Sequence, residues 1–197
     1  MKLPEKALET ATKVLRPVLA FVYSLFKRLK VQNKVVLISR QAGIENIDFK
    51  ILEKEYKEIS PGTKIVTLIK PFKMDPISMF LYSFHMLRQI YHISTSKAVI
   101  LDSYCIAISL LEHREDLIVI QMWHALGSLK KFGYSTVDKK EGSSKKLSEL
   151  GNMHKNYTDV ITSSDFTKPF FAEAFGVNED MVKPIALPRV DLYKDQT

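Results

Sequence analysis

The feature that most constrains the fold is a regular alternation that begins at residue 34, where short β-branched runs are separated by stretches with helical spacing. These runs predict strands at residues 34–39, 64–70, 97–102, 117–123, 159–164 and 182–187. Helices are predicted between them, at residues 46–59, 76–92 and 169–175. Apolar strands that alternate with helices are typical of a parallel sheet covered on both faces. The sequence therefore predicts an α/β domain over residues 34–197, with a Rossmann-like parallel sheet and flanking helices.

The segment 1–33 differs from this domain because it carries most of the chain's net charge of +7. Residues 1–34 contain eight Lys or Arg and two Glu, whereas the rest of the chain contains 21 basic and 20 acidic residues. Apolar residues recur at helical spacing along the segment, which predicts an amphipathic, basic helical region. Proline removes a helical hydrogen bond, so Pro17 is expected to divide this region into two helical pieces.

Two interpretations of this N-terminal region stay open. It is either a peripheral anchor on an anionic membrane surface, or a helix that packs on its own domain or on a partner chain. Its uncharged run, residues 17–26, is too short to span a bilayer. The side chains predicted to contact the membrane are Lys13, Arg16, Phe21, Phe26, Lys27 and Arg28.

Composition and missing motifs argue against several classes of protein. Cys105 is the only cysteine, so the sequence offers no internal disulfide and no cysteine cluster, and neither a metal nor a cofactor is predicted. The charge of the α/β domain is nearly balanced, so no nucleic-acid partner is expected. The sequence also lacks G-x-x-x-x-G-K-[ST], G-x-G-x-x-G, H-E-x-x-H and G-x-S-x-G, the local motifs of several large enzyme classes.

A histidine follows the fourth predicted strand, within QMWHALGSLKKFGY at residues 121–134. Ligands of open parallel sheets bind at the carboxyl ends of the strands, where His124 is expected to lie. A histidine that a rigid element holds there can accept a proton from an attacking hydroxyl. The alternative is that Trp123 and His124 only close the core at the end of the strand.

Other polar residues near the strand ends are candidates for binding phosphate. The residues predicted to bind substrate or phosphate are Lys130, Lys131, Ser163, Ser164 and Arg189. The two lysines follow His124 closely, and the arginine can bind phosphate in a bidentate manner. The serines belong to TSSD at residues 162–165, and a helix N-terminus that follows a strand can bind an anion. The alternatives are that the serines only cap the next helix and that the lysines are ordinary surface charges.

Four stretches of the sequence together resemble a known family: QMWHALGSLKKFGY, HKNYTDVITSSD, AFGV and LPRVDLY. They occur in the order found in the CDP-glycerol glycerophosphotransferases of teichoic-acid synthesis. The pattern of that family is roughly Q-x-W-H-G-T-P-L-K, then a strand that ends in Ser-Ser, then G-x-P-R-x-D. The resemblance covers about residues 97–193. Ala125 and Ala186 stand where the pattern has glycine, which indicates a divergent subgroup.

The resemblance implies the N-terminal, acceptor-side half of a glycosyltransferase-B-like enzyme at the cytoplasmic face of the bacterial cell membrane. A lipid-linked polyol-phosphate acceptor would attack CDP-glycerol or CDP-ribitol and release CMP, with His124 in the place of the family's general base. The chain stops at Thr197, before a donor-binding half, so we expect that it cannot transfer glycerophosphate alone. A non-catalytic, membrane-associated binding module and a sugar transferase of the same architecture remain alternatives.

Overall fold

The computed structural model describes residues 5–41, 46–73, 75–140 and 142–196. It contains a six-stranded sheet in the order β2-β1-β3-β4-β5-β6, in which all neighbouring strands are parallel. The strands are β1 (Lys34–Ser39), β2 (Lys64–Ile69), β3 (Ala98–Leu101), β4 (Ile118–Gln121), β5 (Asp159–Ile161) and β6 (Val182–Lys183). The helices are α1 (Glu5–Phe26), α2 (Ile47–Ile59), α3 (Pro76–Ser94), α4 (Ile106–Leu110), α5 (Lys145–Leu150) and α6 (Lys168–Phe175). The predicted parallel α/β fold is confirmed.

Strands β2 to β6 all end earlier than the sequence predicts, and for β4 and β6 the structure shows the reason. Strand β4 ends at Gln121, because the Gln121 side chain accepts a hydrogen bond from the Trp123 N–H at 2.9 Å and Trp123 turns into a left-handed conformation with φ 59°. Strand β6 has only two residues, and Pro184 follows it without an N–H that could extend the ladder. The chain therefore leaves the sheet at these points, and His124 lies on a turn beyond β4.

The prediction that Pro17 divides the N-terminal region is wrong, since α1 is one helix that runs through Pro17. A proline leaves the carbonyl four residues earlier without its helical partner. Here Pro17 and Lys13 are both exposed, so water can hydrate that carbonyl. Leu19 and Tyr23, in the second half of the helix, are buried in the core and hold α1 against the domain.

The alternating side chains of the strands enter two separate cores. On one face, Val36 and Ile38 of β1 belong to a large cluster that α1, α3, α4 and α6 cover. On the other face, Val35 and Leu37 pack in a smaller cluster with Phe49 of α2. Because successive residues of a strand point to opposite faces, a strand buried on both faces is apolar throughout. This explains why β1 is a continuous apolar run between its first residue, Lys34, and its last, Ser39.

Helix α1 packs on its own domain along one side. The Tyr23 hydroxyl lies 2.7 Å from Nδ1 of His113, and His113 Nε2 lies 2.8 Å from the carbonyl oxygen of Ile108. That carbonyl can only accept, so Nε2 donates and Tyr23 donates to Nδ1. Phe26 also points inward and makes an edge-on contact with Tyr91 at 5.6 Å between ring centroids. Within the described ranges, no helix is both long enough and apolar enough to cross a membrane.

Candidate active site

Three strands bring polar side chains to one edge of the sheet. Ser39 ends β1, Asp102 follows β3 and His124 follows β4, and these strands are neighbours in the sheet. Asp102 links the group, because its Oδ2 accepts hydrogen bonds from Ser39 Oγ at 2.7 Å and from Asn46 Nδ2 at 2.6 Å. Its Oδ1 is buried and has no partner among the described residues. Burial raises the pKa of the Asp102 carboxyl, an effect that these hydrogen bonds and the nearby His124 oppose.

The orientation of His124 follows from one hydrogen bond. Nδ1 of His124 lies 3.0 Å from the backbone carbonyl oxygen of Asp102. A carbonyl oxygen can only accept, so Nδ1 carries the proton and the neutral ring leaves Nε2 unprotonated. The side chain is half-buried, which leaves it accessible at the edge of the sheet. In this tautomer Nε2 is the ring atom that can accept a proton.

Aromatic contacts hold the turn that carries His124. Trp123 adopts a positive φ of 59°, which is uncommon for a residue other than glycine. Its ring stacks on Phe132, with 4.9 Å between the centroids and 16° between the planes, and meets Phe175 edge-on at 5.5 Å. The strained backbone is therefore fixed by packing on one side and by the Gln121 hydrogen bond on the other.

Behind this turn lies a buried hydrogen-bond chain that the sequence did not reveal. Nε2 of Gln121 donates to the Tyr157 hydroxyl at 3.0 Å and to the Ser103 carbonyl at 3.3 Å. The Tyr157 hydroxyl in turn lies 2.9 Å from Nδ1 of His154, to which it donates its own proton. Gln121, His154 and Tyr157 expose 0, 4 and 5% of their surface. Gln121 begins the first of the four family-like stretches, and His154 and Tyr157 lie in the second. Their contacts with one another could not be predicted from the sequence.

The buried histidines make stability dependent on pH. Burial lowers the pKa of His154 from 6.5 to about 4, and burial lowers that of His113 to about 4 as well. Between pH 4 and 6.5 the unfolded chain therefore binds protons that the native chain does not, so stability falls as the pH falls. We expect the free energy of unfolding to drop by about 2 kcal/mol per histidine between pH 7 and pH 5. Urea unfolding at the two pH values measures the drop, which should be smaller in His154→Gln.

The two serines of the TSSD stretch lie in different surroundings. Ser163 Oγ donates a hydrogen bond to the Leu126 carbonyl, so this hydroxyl touches the loop that follows His124. Ser164 is exposed, and its Oγ lies 3.2 Å from Thr167 Oγ1. Ser164 and Thr167 occupy N-cap positions, yet neither side chain makes a capping hydrogen bond. The structure therefore does not support helix capping as the role of the Ser164 and Thr167 hydroxyls.

Arg189 is engaged by a carboxylate far away in sequence. Its Nε donates to Asp48 Oδ2 at 2.8 Å, its Nη2 donates to the same oxygen, and its backbone N–H donates to Oδ1 at 2.9 Å. Asp48 lies in the first turn of α2 and is 1% exposed, whereas 36% of the Arg189 side chain is exposed. This pair ties the C-terminal turn to α2, and the predicted phosphate-binding role of Arg189 stays a prediction.

Lys130 and Lys131 are exposed and line a cavity of about 260 Å³. The residues around this cavity are Lys130, Lys131, Thr136, Lys139 and Lys140. Positive charge is thus concentrated on the loop that follows His124. In the part of the chain that the structure describes, no three His, Cys, Asp or Glu side chains come together in a way that could hold a metal ion.

The fold defines the class of protein first. The chain is similar to a solved structure of the wall teichoic acid polymerase TagF, with a TM-score of 0.66 over 98% of this chain and 50% of that chain. The two sequences are 13% identical over this match, so the likeness concerns the fold alone. The class is a parallel α/β domain of the kind found in that polymerase.

Sequence comparison then identifies the family. Residues 19–197 match the family described as CDP-glycerol:poly(glycerophosphate) glycerophosphotransferase, and the chain belongs to it. It is 32% identical to a teichoic acid ribitol-phosphate primase of Bacillus spizizenii, over 92% of this chain and 47% of that protein. It is 28% identical to a teichoic acid glycerol-phosphate primase of Bacillus subtilis, over 55% of this chain and 29% of that protein. The chain thus spans about half the length, or less, of these relatives, and the predicted family is confirmed.

Proposed function

We propose that this chain is the acceptor-side half of a polyol-phosphate transferase and that His124 is its general base. The hydrogen bond from His124 Nδ1 to the Asp102 carbonyl carries the proposal, because it leaves Nε2 free at the carboxyl edge of the sheet. Membership of the glycerophosphotransferase family supports the reaction class. The acceptor is proposed to be a lipid-linked polyol phosphate, which the protein meets at the cytoplasmic face of the bacterial membrane.

The proposed step moves one polyol-phosphate group to the acceptor. The acceptor hydroxyl gives its proton to Nε2 of His124 while its oxygen bonds to the phosphorus that carries the polyol. The phosphoanhydride bond breaks, and CMP leaves with the electron pair. The resulting imidazolium is stabilised by the buried Asp102, whose carboxyl interacts electrostatically with His124. Asp102 thus complements the charge that appears during the reaction.

Cationic and hydroxyl groups near His124 are proposed to hold the phosphates. Lys130 and Lys131 lie on the loop after His124, and Ser163 touches that loop through the Leu126 carbonyl. Ser164 offers a second exposed hydroxyl beside it. Arg189 can contribute its Nη1 while Nε and Nη2 stay on Asp48. Such donors stabilise the negative charge that develops in phosphoryl transfer.

The donor is proposed to be CDP-ribitol or CDP-glycerol, since the relatives include both a ribitol-phosphate and a glycerol-phosphate primase. CMP release from each nucleotide tests the proposal. It is measured with this chain, alone and joined to the second half of a matched relative, in the presence of a lipid-linked acceptor. We expect the joined protein to release CMP from one donor in an acceptor-dependent manner. Release from nucleotide sugars instead would favour a sugar transferase.

An exposed apolar surface supports membrane attachment. It combines a stripe on α1 with a stripe on α3, two helices that pack against each other. The exposed apolar residues are Val14, Val18, Phe21 and Leu25 on α1 and Ile77, Phe80, Leu81, Phe84 and Leu87 on α3. Arg16 and Arg28 are exposed on or just after α1, whereas Lys13 pairs with Glu9 and Lys27 donates to the Glu112 carbonyl. Apolar surface with basic neighbours suits an anionic membrane.

Charge placed on this apolar surface should weaken membrane binding. We expect Phe80→Asp and Phe21→Asp each to reduce partition onto phosphatidylglycerol vesicles at least tenfold, because burying a phenylalanine contributes about 1.5–3 kcal/mol. Phe166→Asp is the matched control, because Phe166 is exposed too but follows β5. Vesicle co-sedimentation measures the partition. Equal losses in all three variants would remove the α1–α3 surface as the contact.

A further inference from the structure

The loop that follows His124 folds back onto Trp123, the residue that precedes His124. The stacked contact between Phe132 and Trp123, at 4.9 Å between centroids, fixes the chain immediately after Lys130 and Lys131. The two lysines are therefore attached to the turn that carries His124, although their side chains are exposed. This places positive charge on the same loop as the reacting group.

A second part of the loop is folded back and closely packed. The N–H of Asp138 donates to the Ser143 carbonyl at 3.0 Å, and the N–H of Gly142 donates to the Lys139 carbonyl at 3.0 Å. A Cβ on Gly142 would lie 1.8 Å from the carbonyl oxygen of Thr136, so this approach requires glycine. The described residues 136–140, 142 and 143 therefore belong to a closely packed turn that carries Lys139 and Lys140.

The two lysine pairs meet at one cavity. Lys130, Lys131, Lys139 and Lys140 line its volume of about 260 Å³, many times the space that one water molecule needs. None of the described residues that line it carries a carboxylate. Opposite charges attract, so four lysines at one cavity favour a bound anion over a cation. The lining residues therefore fit an anionic ligand.

We propose that this four-lysine cavity binds a phosphodiester group of the acceptor chain, apart from the hydroxyl that reacts at His124. The inference rests on the proposed function, which supplies an acceptor made of phosphodiester-linked polyols. Lysine ammonium groups are compact charges with three rotatable donors, so they can follow the singly charged phosphates of a flexible chain. Lys139 is partly fixed already, because its Nζ donates to the Ser135 carbonyl at 2.7 Å. The cavity would hold the chain while its end reaches His124.

Binding of a fluorescent glycerol-phosphate trimer to the full chain tests this proposal. We expect Lys139→Gln/Lys140→Gln to weaken binding at least tenfold, since each lost charge at close range is worth roughly a factor of five. Lys54→Gln/Lys57→Gln is the matched control, because it removes two exposed charges from α2 and should change binding less than twofold. Equal weakening in both double variants would overturn the proposal, as it would show an effect of net charge only.

A geometric variant separates the built cavity from charge alone. Gly142→Ala keeps all four lysines but forces the turn away from Thr136, so we expect it to weaken trimer binding about as much as the lysine variant. Gly62→Ala is its control, because nothing lies within 4 Å of a Cβ there. Circular dichroism confirms that both variants are folded. Wild-type affinity in folded Gly142→Ala contradicts the proposed cavity.

Phosphatidylglycerol also presents a phosphodiester, so vesicle binding is measured on the same variants. Unchanged vesicle binding in Lys139→Gln/Lys140→Gln, with weakened trimer binding, supports the acceptor as the ligand, and the reverse pattern overturns it. In the transfer assay this variant should raise KM for the acceptor and leave kcat unchanged. A His124 variant that retains transfer would remove the proposed function, whereas a lysine variant with an unchanged KM would remove only this inference.

Discussion

Replacing His124 by glutamine should lower the rate of polyol-phosphate transfer by about 10²–10⁴-fold, the usual contribution of a positioned general base. Glutamine can still donate a hydrogen bond toward the Asp102 carbonyl, but it cannot take the proton of the acceptor hydroxyl. The loss should fall on kcat, since the lysines and serines that are proposed to bind phosphate stay in place. The measurement is acceptor-dependent CMP release, with His85→Gln as the control on helix α3.

The same variant separates the two leading functions. Unchanged transfer in His124→Gln would remove His124 as the base. If the unmodified protein binds vesicles but transfers no group from any donor, the remaining hypothesis is a non-catalytic binding module. Loss of transfer with normal vesicle binding and normal thermal unfolding would support catalysis. Because His124 is half-buried and lies outside the cores, we expect its replacement to leave the fold intact.

The sheet could be predicted because its signals are local. A run such as KVVLIS predicts a strand through its β-branched residues, and β1 has the predicted bounds. The end of β4 could not be predicted, because it follows from the side chain of Gln121, which accepts a hydrogen bond from the Trp123 N–H and donates one to the buried Tyr157 hydroxyl. The continuity of α1 through Pro17 could not be predicted either, since packing of the whole helix outweighs the low helix propensity of proline.

The candidate site was only partly predictable for the same reason. His124 could be placed from the end of its strand, and Ser163 from the next one. The sequence predicts Asp102 at the end of its strand. The hydrogen bond between the Asp102 carbonyl and His124 depends on the pairing of two strands, which the sequence does not show. The contact between Asp48 and Arg189 joins residues 141 positions apart, so no local sequence pattern predicts it. Long-range partners are what a single sequence leaves out.

The ion pair of Asp48 and Arg189 should respond asymmetrically to mutation. Arg189→Ala leaves a carboxylate that is 1% exposed without its guanidinium, and removing one partner of a buried pair destabilises by about 3–5 kcal/mol. We expect the lower end of this range, because the backbone N–H of residue 189 still donates to Asp48 and the N-terminus of α2 still favours its charge. Since folded domains are stable by only about 5–15 kcal/mol, this loss is large.

Asp48→Ala should destabilise less, by about 1–3 kcal/mol, because the Arg189 it leaves behind is 36% exposed and can turn toward water. The double variant should therefore be more stable than Arg189→Ala alone, a non-additivity that indicates direct coupling. Urea unfolding of the three variants measures the order, with the exposed Arg28→Ala as the control. A stable Arg189→Ala that has lost only phosphate binding would show instead that the guanidinium serves the substrate and that Asp48 merely orients it.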